Sequence, residues 1–128
     1  MADSASVGFA RTALVIAAIS GLLCVAIGAF GAHGMNDPKP KEWIEIGSRY
    51  QMFHTLAVIA AIWLATRGAA FAGVSVWMFF AGILLFSGSL YAMAFGGPRI
   101  LGAVTPIGGL AFMGGWAAFA FAAFKAFK

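Results

Sequence analysis

The placement of charge constrains this chain more than any other feature. Its eight Lys and Arg and four Asp and Glu residues leave four uncharged stretches: Thr12 to Asn36, Tyr50 to Thr66, Gly68 to Pro98 and Ile100 to Phe124. A bilayer core of about 30 Å needs roughly 20 helical residues at about 1.5 Å each, and every stretch is near that length or longer. None alternates apolar and polar residues as a membrane β-strand does, and a helix satisfies its own backbone groups within the segment, as lipid demands. The expected fold is therefore all-α: an integral membrane four-helix bundle, antiparallel and up-down with short loops, forming one transmembrane domain over residues 1–128. Composition agrees, since 62% of residues are hydrophobic and 9% charged, against about half and roughly a quarter in soluble domains.

The predicted spans are residues 11–33, 49–66, 70–95 and 100–124. Residues 1–10, with Ser4, Ser6 and Gly8, read as a short polar leader that needs no structure. In the first span Gly21, Gly28 and Gly31 let another helix approach closely. Gly34, Asn36-Asp37-Pro38 and Pro40 stop it. Residues 41–49 mix charge with Trp43, Ile44 and Ile46, which predicts an interfacial turn of helix anchored by Trp43. The second span has only 17 uncharged residues, so it needs Tyr50 at the interface and a snorkelling Arg67. Arg67-Gly68 and Gly96-Gly97-Pro98-Arg99 are turns that set neighbouring helices antiparallel. Pro106, after Thr105 and before Gly108-Gly109, predicts a kink or locally unwound stretch, the least regular backbone within the membrane.

The net charge of +4 and pI near 9.7 do not indicate nucleic-acid binding, because the basic residues are scattered singly at helix ends, where they meet lipid headgroups. One cysteine, Cys24, excludes an internal disulfide. The stretch from Thr12 to Ala32 exceeds a secretory signal's apolar region of about 7 to 15 residues and suits a retained span. Leu23 is too bulky to precede a lipidated cysteine. Arg11, Arg67, Lys125 and Lys128 fall on one side and Lys39, Lys41, Arg49 and Arg99 on the other, so the basic count leaves only a slight lean to both termini cytoplasmic. No internal repeat emerges.

Polar groups at membrane depth are expensive, and each is a functional candidate. The candidates are His33 at the end of helix one, Tyr50, Gln51 and His54 in helix two, Ser87, Ser89 and Tyr91 in helix three, and Thr105 in helix four. His33 and His54 are expected near one membrane face. Gln51 and Tyr50, three and four residues before His54, are expected to share a polar stripe with it. Interhelical packing is one role for this set. A second is transport along the stripe and the Thr105–Gly109 stretch, which needs a homo-oligomer because four short helices enclose little volume. A third is haem or metal ligation, a redox role, by His33 and His54 with Met35 and Met52 nearby. No Asp or Glu lies within the runs and no nucleophile, zinc or phosphate-binding constellation appears, which argues against an enzyme. Trp63, Trp77 and Trp116 suit lipid-facing positions. The leading expectation is a non-enzymatic membrane module without cofactor, its partners membrane lipids, further copies of itself or a larger membrane complex.

Four phrases also carry a resemblance: Gly28-Ala29-Phe30-Gly31-Ala32-His33-Gly34, Tyr50-Gln51-Met52-Phe53-His54-Thr55-Leu56-Ala57, Gly82-Ile83-Leu84-Leu85-Phe86-Ser87-Gly88-Ser89-Leu90-Tyr91, and Thr105-Pro106-Ile107-Gly108-Gly109. In this order, over nearly the whole chain after about residue 8, they resemble the YgdD-like family, domain-of-unknown-function family 423. The resemblance implies a small four-helix protein of a bacterial inner membrane, with no established activity to carry over.

Overall fold

Charged residues at both ends and apolar runs between them produce four antiparallel helices, seen in a computed structural model that describes residues 3–128. Helix α1 covers Ser4–Gly34 and α2 Pro38–Thr66. Helix α3 covers Ala72–Ala94, and α4, Thr105–Ala126, follows a 3-10 turn at Arg99–Ala103. Helix α2 is central: α1 packs on one side of it and α3 on another, α4 packs on α3, and a shorter seam joins α2 to α4. Three runs are long and apolar enough to cross a membrane: Ser4–Gly34, Ala72–Ala94 and Arg99–Ala126. Helix α2, charged from Lys39 to Arg49, packs against all three.

The polar leader is a correction. Residues 1 and 2 lie outside the described residues, but from Ser4 the chain is helical, because Asp3 caps α1 by accepting from the Ser6 amide at 2.7 Å. Phe9 and Ala10 then pack against the core. Residues 41–49 are helical and run without a break into the second span, all within α2. The prolines that stop α1 also start α2, since a proline in the first turn removes an amide that has no helical partner there.

Close packing rests on glycine. Along α1, Gly31 receives Ile44 and Gly28 meets Ser48. Between α3 and α4 the arrangement is reciprocal: Phe112 of α4 fills the space beside Gly82, and Phe79 of α3 fills that beside Gly115. A Cβ at Gly115 would stand 2.6 Å from the Phe79 ring.

Two irregularities differ in place from the predicted one. Pro106 does not kink a helix; it stands in the first turn of α4, with the backbone irregularity displaced to the preceding 3-10 turn. Helix α3 widens into a π turn over Ile83–Ser87. The extra residue pushes the Phe86 backbone against Gly108, where any Cβ would collide with it.

Candidate functional site

Two hydrogen bonds set the register of α1 against α2. Cys24 Sγ donates to the Ser48 carbonyl at 2.9 Å, and Gln51 Nε2 donates to the Ser20 carbonyl at 3.0 Å. Helix rise then places His33 about 13 Å from the Cys24 level in one direction and His54 about 9 Å from it in the other. The two histidines are thus separated by about 22 Å along the bundle. His33 is exposed at the end of α1. The expectation that they share one membrane face fails, because α2 is helical from Pro38 and carries His54 four turns inward.

The predicted polar stripe is split as well. Gln51 faces α1 and α3, where it joins a chain across three helices. The Ser20 carbonyl can only accept, so the Gln51 amide nitrogen must face it; the same nitrogen donates to Ser20 Oγ at 3.0 Å. This leaves Gln51 Oε1 to accept from the Tyr91 hydroxyl at 2.6 Å. Ser20 Oγ continues the chain to Thr55 Oγ1 at 2.8 Å. Beside it, Tyr91 packs its ring against Gly47, whose carbonyl accepts from Ser87 Oγ at 2.7 Å. Ser89 and Thr105 form a separate pair at 2.5 Å joining α3 to α4.

His54 faces α4 instead. Its Nδ1 lies 2.7 Å from the Tyr50 carbonyl, and its Nε2 accepts from the Trp116 indole at 3.1 Å. A carbonyl only accepts and an indole only donates, so the proton sits on Nδ1 and both ring nitrogens are engaged. The ring also stacks on Phe112 with centroids 3.6 Å apart. Neither nitrogen of His54 is left for a haem or metal, and among the described residues no three His, Cys, Asp or Glu side chains gather.

Around His54 opens a groove of about 700 Å³ between α2 and α4. Tyr50 and His54 of α2, Phe86 of α3, and Pro106, Gly109, Phe112, Met113 and Trp116 of α4 line it. The Tyr50 and Phe86 rings meet at a tilt with centroids 4.7 Å apart. Phe53 and Leu110 also line the groove and, with Met113, are exposed on the surface of the bundle. From Pro106 to Trp116 the groove descends ten residues of α4, roughly 15 Å, in the half of the bundle nearer the α1–α2 and α3–α4 turns.

Sequence reasoning missed Ser20, Thr55 and Trp116. Thr55 follows Gln51 by four residues, on the same face, and Ser20 is the one hydroxyl between Thr12 and Gly34. Both signals were present. The role of Trp116 required the α2–α4 seam.

The chain matches the family model described as "Protein of unknown function (DUF423)" over residues 27–109, a segment that includes His54, Gln51, the π turn and Pro106. The chain belongs to the DUF423 family. Among its relatives, a UPF0382 membrane protein of Haemophilus influenzae is 48% identical over 115 residues, 88% of this chain and 93% of the relative. The UPF0382 membrane protein YwdK of Bacillus subtilis is 40% identical over 117 residues, 88% of this chain and 95% of YwdK. The UPF0382 inner membrane protein YgdD of Escherichia coli K12 is 41% identical over 117 residues, 84% of this chain and 85% of YgdD. No solved structure matches. With its apolar helices, this DUF423 chain is a multi-pass protein of a bacterial inner membrane.

Proposed function

We propose that this DUF423 protein is a non-enzymatic, lipid-interacting module that takes an apolar chain from the surrounding bilayer into the groove between α2 and α4. The observation that carries this reading is the groove itself, about 700 Å³ with an aromatic lining and exposed apolar side chains, Phe53, Leu110 and Met113, among the residues that form it. A transport pathway through the bundle would need polar groups turned toward a passing solute. Here Ser20, Gln51, Thr55 and Tyr91 bond one another, and Ser87, Ser89 and Thr105 bond other side chains or backbone. The groove holds no carboxylate, and its one imidazole is fully engaged, which supports binding over catalysis. Bilayer lipid is accordingly the partner.

The test is photo-crosslinking in bilayers doped with a phospholipid carrying a diazirine in its chain. Labelling concentrates on Leu110, Met113 and Trp116 relative to Leu22 and Leu84, which are 70% and 73% exposed on other faces. Equal labelling of all five residues refutes the reading.

A further inference from the structure

The groove has a charged upper edge that its apolar lining does not require. Trp43, Tyr50 and His54 fall on one face of α2, at spacings of seven and four residues. Tyr50 and His54 line the groove, and Trp43 stands roughly 10 Å above Tyr50, toward the turns. Two cations flank the Trp43 ring: Lys39 Nζ and the Arg99 guanidinium each lie 5.9 Å from its centroid. They come from different elements, Lys39 from the first turn of α2 and Arg99 from the 3-10 turn ahead of α4. These are the same two helices that wall the groove. Lys39 is paired with Glu42 at 3.2 Å; the ion pairs among the described residues, Lys39–Glu42 and Glu45–Arg49, do not include Arg99.

A phospholipid has the matching layout, a phosphate at the headgroup level and an apolar chain below it. Resting on the lipid-binding reading given above, we propose that the groove binds one phospholipid of net negative charge, its phosphate on Arg99 and Lys39 beside Trp43 and one chain descending past Tyr50 to Trp116. The indole is suited to the headgroup boundary, and the guanidinium supplies a fork of donors matching phosphate oxygens. The descent of roughly 15 Å accommodates most of one chain within a leaflet about half the 30 Å core. Glu42 moderates the charge at Lys39, so Arg99 carries most of the headgroup selectivity.

The experiment is native mass spectrometry of the full chain released from nanodiscs of equal phosphatidylglycerol and phosphatidylcholine. The wild-type chain retains one phospholipid, with phosphatidylglycerol preferred about fivefold or more, the effect of one basic residue near an anionic headgroup. Exposed Arg99 is replaced without disturbing the core: Arg99→Gln lowers the preference about fivefold, the loss falling on phosphatidylglycerol more than on phosphatidylcholine. Gly109→Leu fills the groove, where a Cβ meets only Phe86 at 4.0 Å, and abolishes retention of both lipids. If Arg99→Gln with Lys39→Gln keeps the wild-type preference, the headgroup inference is overturned while the groove reading stands. If Gly109→Leu retains lipid like the wild type, both fall.

Discussion

Gln51 is the residue on which the packing of α1, α2 and α3 converges, and replacing it with leucine isolates what the buried polar chain contributes. The substitution keeps volume but removes three hydrogen bonds, two to Ser20 and one from Tyr91. Interhelical bonds within membranes average about 0.6 kcal/mol, so the loss sums to roughly 2 kcal/mol. Ser20 keeps Thr55 as a partner, but the Tyr91 hydroxyl is orphaned. Tyr91→Phe alone removes one bond and costs about 0.6 kcal/mol. In the double variant no orphan remains, so Gln51→Leu/Tyr91→Phe is at least as stable as Gln51→Leu. The assay uses Cys24, the only cysteine, which is buried between α1 and α2 against the Ser48 carbonyl. Its maleimide labelling rate across an SDS titration reports separation of those helices. Additive costs, with the double variant weaker by the full Tyr91→Phe increment, would refute the chain of bonds.

Three further outcomes follow from the same geometry. Gly82→Ile forces a branched side chain into the Phe112 ring and destabilises by about 3 kcal/mol or more, whereas Gly73→Ala, with nothing within 4 Å of the added Cβ, is neutral or stabilising; thermal midpoints in one detergent separate the two. His54→Ala orphans the Trp116 indole and costs about 1–3 kcal/mol, while the visible spectrum of the purified protein stays unchanged; a band lost with His54 or His33 would establish haem ligation. The Ser6 amide holds the Asp3 carboxyl below its ordinary value of 3.8. A depressed carboxylate stabilises above the unfolded value and loses that stabilisation as pH falls through the folded one. The first turn of α1 therefore frays below about pH 4, and amide exchange at Ser6 and Val7 should accelerate there but not between pH 5 and 8.

The number, type and polarity of the helices were legible in the chain itself, because charge exclusion from hydrocarbon and backbone self-satisfaction are properties of each segment alone. So were the small residues along α1, since only a residue without a side chain accommodates Ile44 at Gly31. What each polar group faces was not legible. Gln51 and His54 are three residues apart, close enough to share a face, yet α2 has neighbours on several sides, and that angle is enough to send one toward α1 and the other toward α4. The π turn in α3 leaves no local trace in Ile83–Ser87; it is accommodated where Gly108 on another helix leaves space for the Phe86 backbone. Pro106 reads as a break in a continuous helix until the turn before it shows that it begins one. The sequence by itself determined a four-helix membrane bundle with charged ends, since those choices depend on composition and spacing along one segment. Only the tertiary structure decided which polar groups pair, where the groove opens and why both nitrogens of His54 are engaged, because each depends on residues 16 to 62 positions apart meeting across helices.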